Sequence, residues 1–308
     1  MILLAAALLG GCAHQSAPLR SVPLPALELQ QTPFFPQQRY QCGPAALATV
    51  LVDSGVQTTP DALVDAVWIA GRQGSLQPEL LAATRRAGRL PVLLEPSAGA
   101  IVNALEAGYP VLVMLNLGPA WWPIWHYAVV IGIDHRGWLL RSGTERLRSM
   151  SRKAFDRAWR GADRWGMMVA HPDHVPSAAT LEAWVRAADD LAAIGQPQAA
   201  ERALAAATRR WPDQSLAWFA YGNQRAALDA WPDAAQALTK AVALRPDWLA
   251  AVNNLVTAWL ALDCPDRAQP FIPRLEAASA DYAAMTVREF RSHQPAGGCP
   301  YAPVPASP

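Results

Sequence analysis

A 34-residue spacing recurs from Ala178 onward and constrains this chain more than any other feature. Trp184 and Trp218 stand one period apart, as do Ala200, Ala234 and Ala268, Leu204 and Leu238, Ala207 and Ala241, and Pro212 and Pro246. Agreement of several positions at one period marks an array of helix-turn-helix units, each burying its apolar face against its neighbours. Alanine falls where paired helices touch, and proline where the second helix of a unit has to stop. The third unit, Leu249 to about Ala280, keeps Asn253, Asn254, Leu255 and Ala268. It has Val252 in place of the Trp and no closing Pro, which suits a terminal repeat. An all-α domain of about three repeats is therefore expected over 177–291, with a loose Pro- and Gly-rich tail over 292–308.

The residues before it follow other rules. Helical patterns come first: Cys42 to Ser54-Gly55, then Thr59-Pro60-Asp61 opening a helix through Ile69, then Ser75 to Ala87 stopped by Gly88. Apolar runs of strand length follow at Leu90–Leu94, Pro110–Leu117, Trp125–Asp134, Gly137–Arg141 and Trp165–Ala170, with helices at Ser97–Ala107 and Lys153–Trp159. Asp134-His135-Arg136-Gly137 reads as a hairpin turn. Helices followed by an antiparallel sheet predict an α+β domain over 33–172. His171 to Pro176 reads as a linker. Its two histidines lack a third His or a Cys nearby, so no metal is expected there, and nothing in the sequence calls for a cofactor.

At 308 residues, 52% hydrophobic, 17% charged and formally +1, the chain can hold two cored domains and has no charge balance suited to nucleic acid. Met1 to Leu9 is too short to span a membrane and ends at Leu9-Gly10-Gly11-Cys12. That ending resembles a bacterial lipobox, although no Lys or Arg precedes the run. The resemblance implies that 1–12 is a signal peptide with its lipobox cysteine, that Cys12 is lipidated, and that the lipid anchors the chain to a membrane. Ala13 after it resembles the sorting pattern of outer-membrane lipoproteins facing the periplasm. The polar, Pro-rich residues 13–32 then read as a flexible tether. In that oxidising compartment Cys264 and Cys299 either form a disulfide or remain two unrelated thiols.

Cys42 stands immediately before a run of helix-forming apolar residues. Unpaired N–H groups at a helix start favour the thiolate, so a lowered pKa is expected there. Gly43 leaves the thiol uncrowded, and Pro44 belongs in a first turn. A nucleophilic cysteine needs a base. His126, at the head of Trp125-His126-Tyr127-Ala128-Val129-Val130, is the candidate that a strand would hold rigidly.

Gln37 five residues before Cys42-Gly43-Pro44-Ala45, a later Gly108-Tyr109-Pro110-Val111-Leu112-Val113, and the His126 strand together resemble the papain-like, bacteriocin-processing cysteine peptidases of family thirty-nine. The resemblance covers about 33–170, and the form with trailing tetratricopeptide repeats is similar to bacterial lipoprotein peptidases. It implies Cys42 as nucleophile, His126 as general base and acid, and Gln37 as oxyanion donor beside the Cys42 backbone N–H, with Gln38 and Gln41 as rivals. The family's Asp, about sixteen residues after the His, is replaced by Ser142-Gly143. Ser142 can orient the imidazole but carries no charge, and Asp134 is expected to point away. The implied partners are a peptide or protein substrate at the cysteine and a protein on the repeats. The alternatives are a peptidase-like binding scaffold without activity and a transferase using the same thioester. Trp121-Trp122-Pro123-Ile124-Trp125 could line a substrate groove, lie at a lipid surface or pack as a loop.

Overall fold

The computed structural model describes residues 26–37, 41–295 and 297–300. Cys12, the signal segment 1–12, the tether up to residue 25, Gln38 and residues 301–308 lie outside the described residues.

The first domain is α+β. Strands β1 (Leu27–Glu28), β2 (Leu90–Leu93), β3 (Val111–Asn116), β4 (Trp125–Ile133), β5 (Trp138–Ser142), β6 (Glu145–Met150) and β7 (Gly166–Ala170) make one antiparallel sheet in the order β2-β7-β3-β4-β5-β6. β1 pairs with the end of β4 that β3 has left, at Leu27 with Ile133. Helices α1 (Cys42–Asp53), α2 (Pro60–Val67) and α3 (Gln77–Arg86) precede most of the sheet, while α4 (Ala98–Glu106) and α5 (Arg152–Arg160) are interleaved with it. Their starts obey the capping rules: the hydroxyls of Thr59, Ser97 and Ser151 accept from the N–H of Ala62, Ala100 and Ala154.

Alternation along the strands sorts the core into two layers. On one face Leu47, Val50 and Leu51 of α1 and Leu80 of α3 meet Tyr127, Val129 and Ile131 of β4. On the other, Ile101 and Leu105 of α4 and Phe155 and Trp159 of α5 meet Val113, Ala128, Val130 and Leu140.

The second domain is all-helical. α6 (Leu181–Ala193) and α7 (Pro197–Arg210), then α8 (Ser215–Ala227) and α9 (Trp231–Leu244), form two helical pairs, and α10 (Leu249–Ala261) begins a third. Its second helix is broken into α11 (Pro265–Ala268), a 3₁₀ turn over Gln269–Phe271 and α12 (Ile272–Glu276), because Pro270 and Pro273 withdraw backbone donors. α13 (Asp281–Ser292) then closes the array. The core beneath α4 and α5 continues without a break into α6, α7 and α8. Across the same junction Arg85 pairs with Asp190, and the Gln196 side chain donates to the Arg85 carbonyl at 2.9 Å.

Three segments depart from the sequence expectations. Leu27–Glu28 lies within the span read as tether, yet it is sheet; Leu27 and Leu29 pack on the core. β6 carries no apolar alternation because it is an edge strand with mostly exposed side chains. The tail is pinned over its described residues: Cys299 is disulfide-bonded to Cys264, with Cα atoms 4.7 Å apart, and Asp263 receives His293 Nε2 at 2.8 Å and the Gly297 N–H at 2.6 Å. Among the described residues no helix is long and apolar enough to cross a membrane.

Candidate active site

Cys42 is the first residue of α1, and Gln41 before it supplies no side-chain cap. A loop crosses directly over this helix start. It is made by a 3₁₀ turn at Ala70–Arg72, left-handed Gln73 (φ 48°) and a bridge between Ile69 and Gly74. It carries Ser75 onto Gly43, where a Cβ would stand 2.1 Å from Ser75 Oγ. Only glycine admits that approach, so Gly43 serves the loop more than the thiol.

His126 is the second residue of β4, and Ser142 the last of β5. The β5–β6 corner positions two of the expected groups. Ser142 Oγ, buried, lies 2.9 Å from His126 Nε2, and the Gly143 carbonyl accepts the Gln37 N–H at 3.0 Å. Buried Arg141 beside them donates to the carbonyls of Gln30, Thr32 and Arg146, which ties the segment bearing Gln37 to the sheet. The Gln37 amide donates to the Tyr127 carbonyl at 3.5 Å.

Gln37, Cys42, Ser75, Trp125 and His126 line one cleft of about 580 Å³, together with Arg72 on its rim. Gln41 is not part of that lining. Asp134 stays in the hairpin, where it binds the N–H groups of Arg136 and Gly137 and the Arg136 side chain. Among the described residues no hydrogen bond joins Cys42 Sγ to His126, and no group of three His, Cys, Asp or Glu side chains could hold a metal ion.

The electrostatics reverse one expectation. Burial pushes the Cys42 thiol up from its ordinary value, and backbone N–H groups of Tyr127, Gly43 and Cys42 itself only offset this in part. The helix start does favour the thiolate, but desolvation outweighs it. Burial, with help from the Arg148 charge, brings His126 down to about 4. The resting pair is therefore a neutral thiol and a neutral imidazole. Tyr127 is likewise held well above the usual phenol range by burial, and among the described residues its hydroxyl, Ser75 Oγ and Glu79 Oε2 are buried without a hydrogen-bond partner.

The shift at His126 makes stability depend on pH. A histidine at 6.5 when unfolded and about 4 when folded binds fewer protons in the native state between those values. Its contribution is fully present above pH 6.5 and is lost as pH falls toward 4, by up to about 3 kcal/mol. Urea midpoints measured from pH 7 to pH 4 should fall less steeply for His126→Gln than for the native chain. Equal slopes would contradict a neutral, desolvated ring.

Sequence reasoning missed Ser75, the Arg148 charge and the backbone groups of Tyr127. Gly43 is the nearest signal for Ser75, since a glycine inside a helix start invites the question of what comes close to it.

The tetratricopeptide-repeat family model matches residues 181–223, which hold α6, α7 and most of α8. No curated protein matches the chain in sequence. A solved structure from Bacillus anthracis, described as a C39-like peptidase, is similar at 16% identity with a TM-score of 0.41, over 47% of this chain and 98% of that one.

Proposed function

We propose that the first domain is a thiol peptidase acting through a Cys42–His126 pair, with the repeats recruiting a substrate or partner. The observation that carries this reading is the His126 imidazole held by Ser142 Oγ at 2.9 Å in the cleft that Cys42 also lines. With the ring proton on Nε2 donated to Ser142 Oγ, the lone pair sits on Nδ1, the nitrogen left for the thiol. Cys42 Sγ attacks the carbonyl carbon of an amide while Nδ1 takes the thiol proton. The oxyanion is stabilised by the Cys42 backbone N–H and the Gln37 amide, each such donor being worth about 10²- to 10³-fold in rate. His126 returns the proton to the amine as the C–N bond breaks. Water, deprotonated by the same ring, then hydrolyses the thioester.

A second reading has support of its own. With Ser142 in place of a carboxylate and no hydrogen bond between Cys42 and His126, the domain can serve as a peptidase-like scaffold. Incubating the purified full chain with a diverse peptide mixture separates the two. The enzyme reading expects new amide cleavage that Cys42→Ala removes; no cleavage by the native chain, or cleavage retained in Cys42→Ala, would reject it.

The envelope location belongs to the same proposal. It draws support from the Leu9–Cys12 motif and from the Cys264–Cys299 disulfide, a bond that persists in oxidising compartments. Fatty-acid labelling of the native chain should be lost in Cys12→Ser. Equal labelling of both would remove the anchor.

A further inference from the structure

Among the described residues, exposed large apolar side chains gather in the loop between β3 and β4. Trp121 is 83% exposed and Trp122 67%, while Leu117, Ile124 and Trp125 are each close to half exposed. Five large apolar side chains within nine residues, none covered by the described residues, are unusual on a water-facing surface. Fraying does not account for them, because the loop is built to hold its shape. Asn116 Oδ1 accepts the N–H groups of both Gly118 and Ile124 at 3.0 Å, Leu117 N–H bonds the Ile124 carbonyl at 2.9 Å, and Trp122 N–H bonds the Pro119 carbonyl at 3.0 Å. Gly118 lets the strap close, since a Cβ there would stand 2.3 Å from the Trp122 carbonyl oxygen. The two indoles are thus displayed outward by an ordered scaffold.

The neighbouring surface is cationic. α5 packs beside the loop: Arg157 and Ala154 line one hollow with Leu117, Gly118, Pro119 and Ala120. Its outer side exposes Arg152, Lys153, Arg157 and Arg160 against a single acid, Asp156, which Arg160 and Arg164 engage. Among the described residues Arg152, Lys153 and Arg157 form no ion pair. Indoles seat at the boundary between headgroups and acyl chains, and flanking cations are drawn to a negative surface. Trp121 and Trp122 do not line the cleft of Cys42, which argues against a substrate wall. We propose that the β3–β4 loop and the exposed side of α5 form one surface that docks on an anionic phospholipid bilayer. This contact is separate from any lipid at Cys12 and from the chemistry at Cys42. Since Trp125 belongs to both the patch and the cleft, docking brings the cleft mouth to the membrane surface.

The test uses the full chain carrying Cys12→Ser, purified without lipid, and vesicles of equal parts phosphatidylglycerol and phosphatidylcholine. Co-sedimentation and a blue shift of tryptophan emission are expected, weakening as salt rises. Both should be weaker on pure phosphatidylcholine. Trp121→Ser with Trp122→Ser should reduce vesicle affinity at least tenfold, and Arg152→Gln with Arg157→Gln should reduce the salt dependence. Both pairs of positions are exposed, and an unchanged circular dichroism melt verifies that the variants fold. No binding to the anionic vesicles would overturn the proposal, as would unchanged binding by the Trp variant, which would leave the apolar N-terminal run as the cause. A Trp variant that binds vesicles normally but loses peptide or protein binding would assign the patch to a protein partner instead.

Discussion

If the domain is the thiol peptidase proposed above, His126→Ala is expected to lower the rate of amide cleavage by about 10²- to 10⁴-fold, the range contributed by a positioned general base. The size of the loss follows from the resting state of the pair. With Cys42 pushed up by burial and His126 brought down to about 4, the thiol does not ionise ahead of attack, so its proton must leave during the reaction. Removing the ring removes the acceptor for that proton. Ser142→Ala should cost much less, because it loosens the imidazole without deleting it. The pH profile carries the same logic. In the proposed mechanism the base is the neutral form of His126, so kcat/KM should stay level through the physiological range and fall only as pH approaches 4, where the ring protonates. A profile that collapses between pH 7 and 6 would show a base near its ordinary pKa and would contradict this site. A His126→Ala variant as active as the native chain would remove the ring from the mechanism altogether.

The second large effect lies away from the cleft. Trp184→Ala is expected to destabilise the protein by about 3 to 5 kcal/mol, the range for deleting a buried aromatic. Trp184 is fully buried, and its indole N–H donates to the Ala203 carbonyl at 2.8 Å, so the variant loses packing and leaves an acceptor unpaired. It belongs to the core shared by the sheet, α4, α5 and the first repeat. The loss should therefore be felt on both sides of the 171–176 linker. Thermal melts followed by helical circular dichroism and by reaction of Cys42 with a thiol reagent should shift down together. A melt in which the helices loosen while Cys42 stays protected would show that the domains unfold independently.

Much of this architecture could be read from the residues, for identifiable reasons. The 34-residue period located five long helices of the array because small alanines at fixed spacing leave the chain few other ways to pack. Gly55, Gly88 and Gly108, all with positive φ, marked real helix ends. The elements that escaped were those whose pattern is set by neighbours. β6 is a strand because β5 offers it an edge, and its exposed side chains give no period. The repeat pattern calls for one second helix in the third unit, but Pro270 and Pro273 each remove a donor that an unbroken helix requires, so the segment divides. At the site, Cys42, His126 and Gln37 line one cleft, and the Ser142 hydroxyl reaches the ring. The protonation state of Cys42 was not legible. A helix start can be seen in a sequence, but the desolvation that outweighs it depends on which loop covers the thiol.

That protonation state has a consequence for survival. Oxidants such as hydrogen peroxide react with thiolates and spare thiols, so a cysteine kept protonated climbs the ladder toward sulfenic and sulfinic acid slowly. Conditions that join Cys264 to Cys299 would inactivate an exposed, ionised nucleophile in the same molecule. Cys42, screened by burial and kept neutral, can remain reduced while the pair at the far end of the chain is oxidised. One chain can in this way carry a structural disulfide and a reduced thiol together.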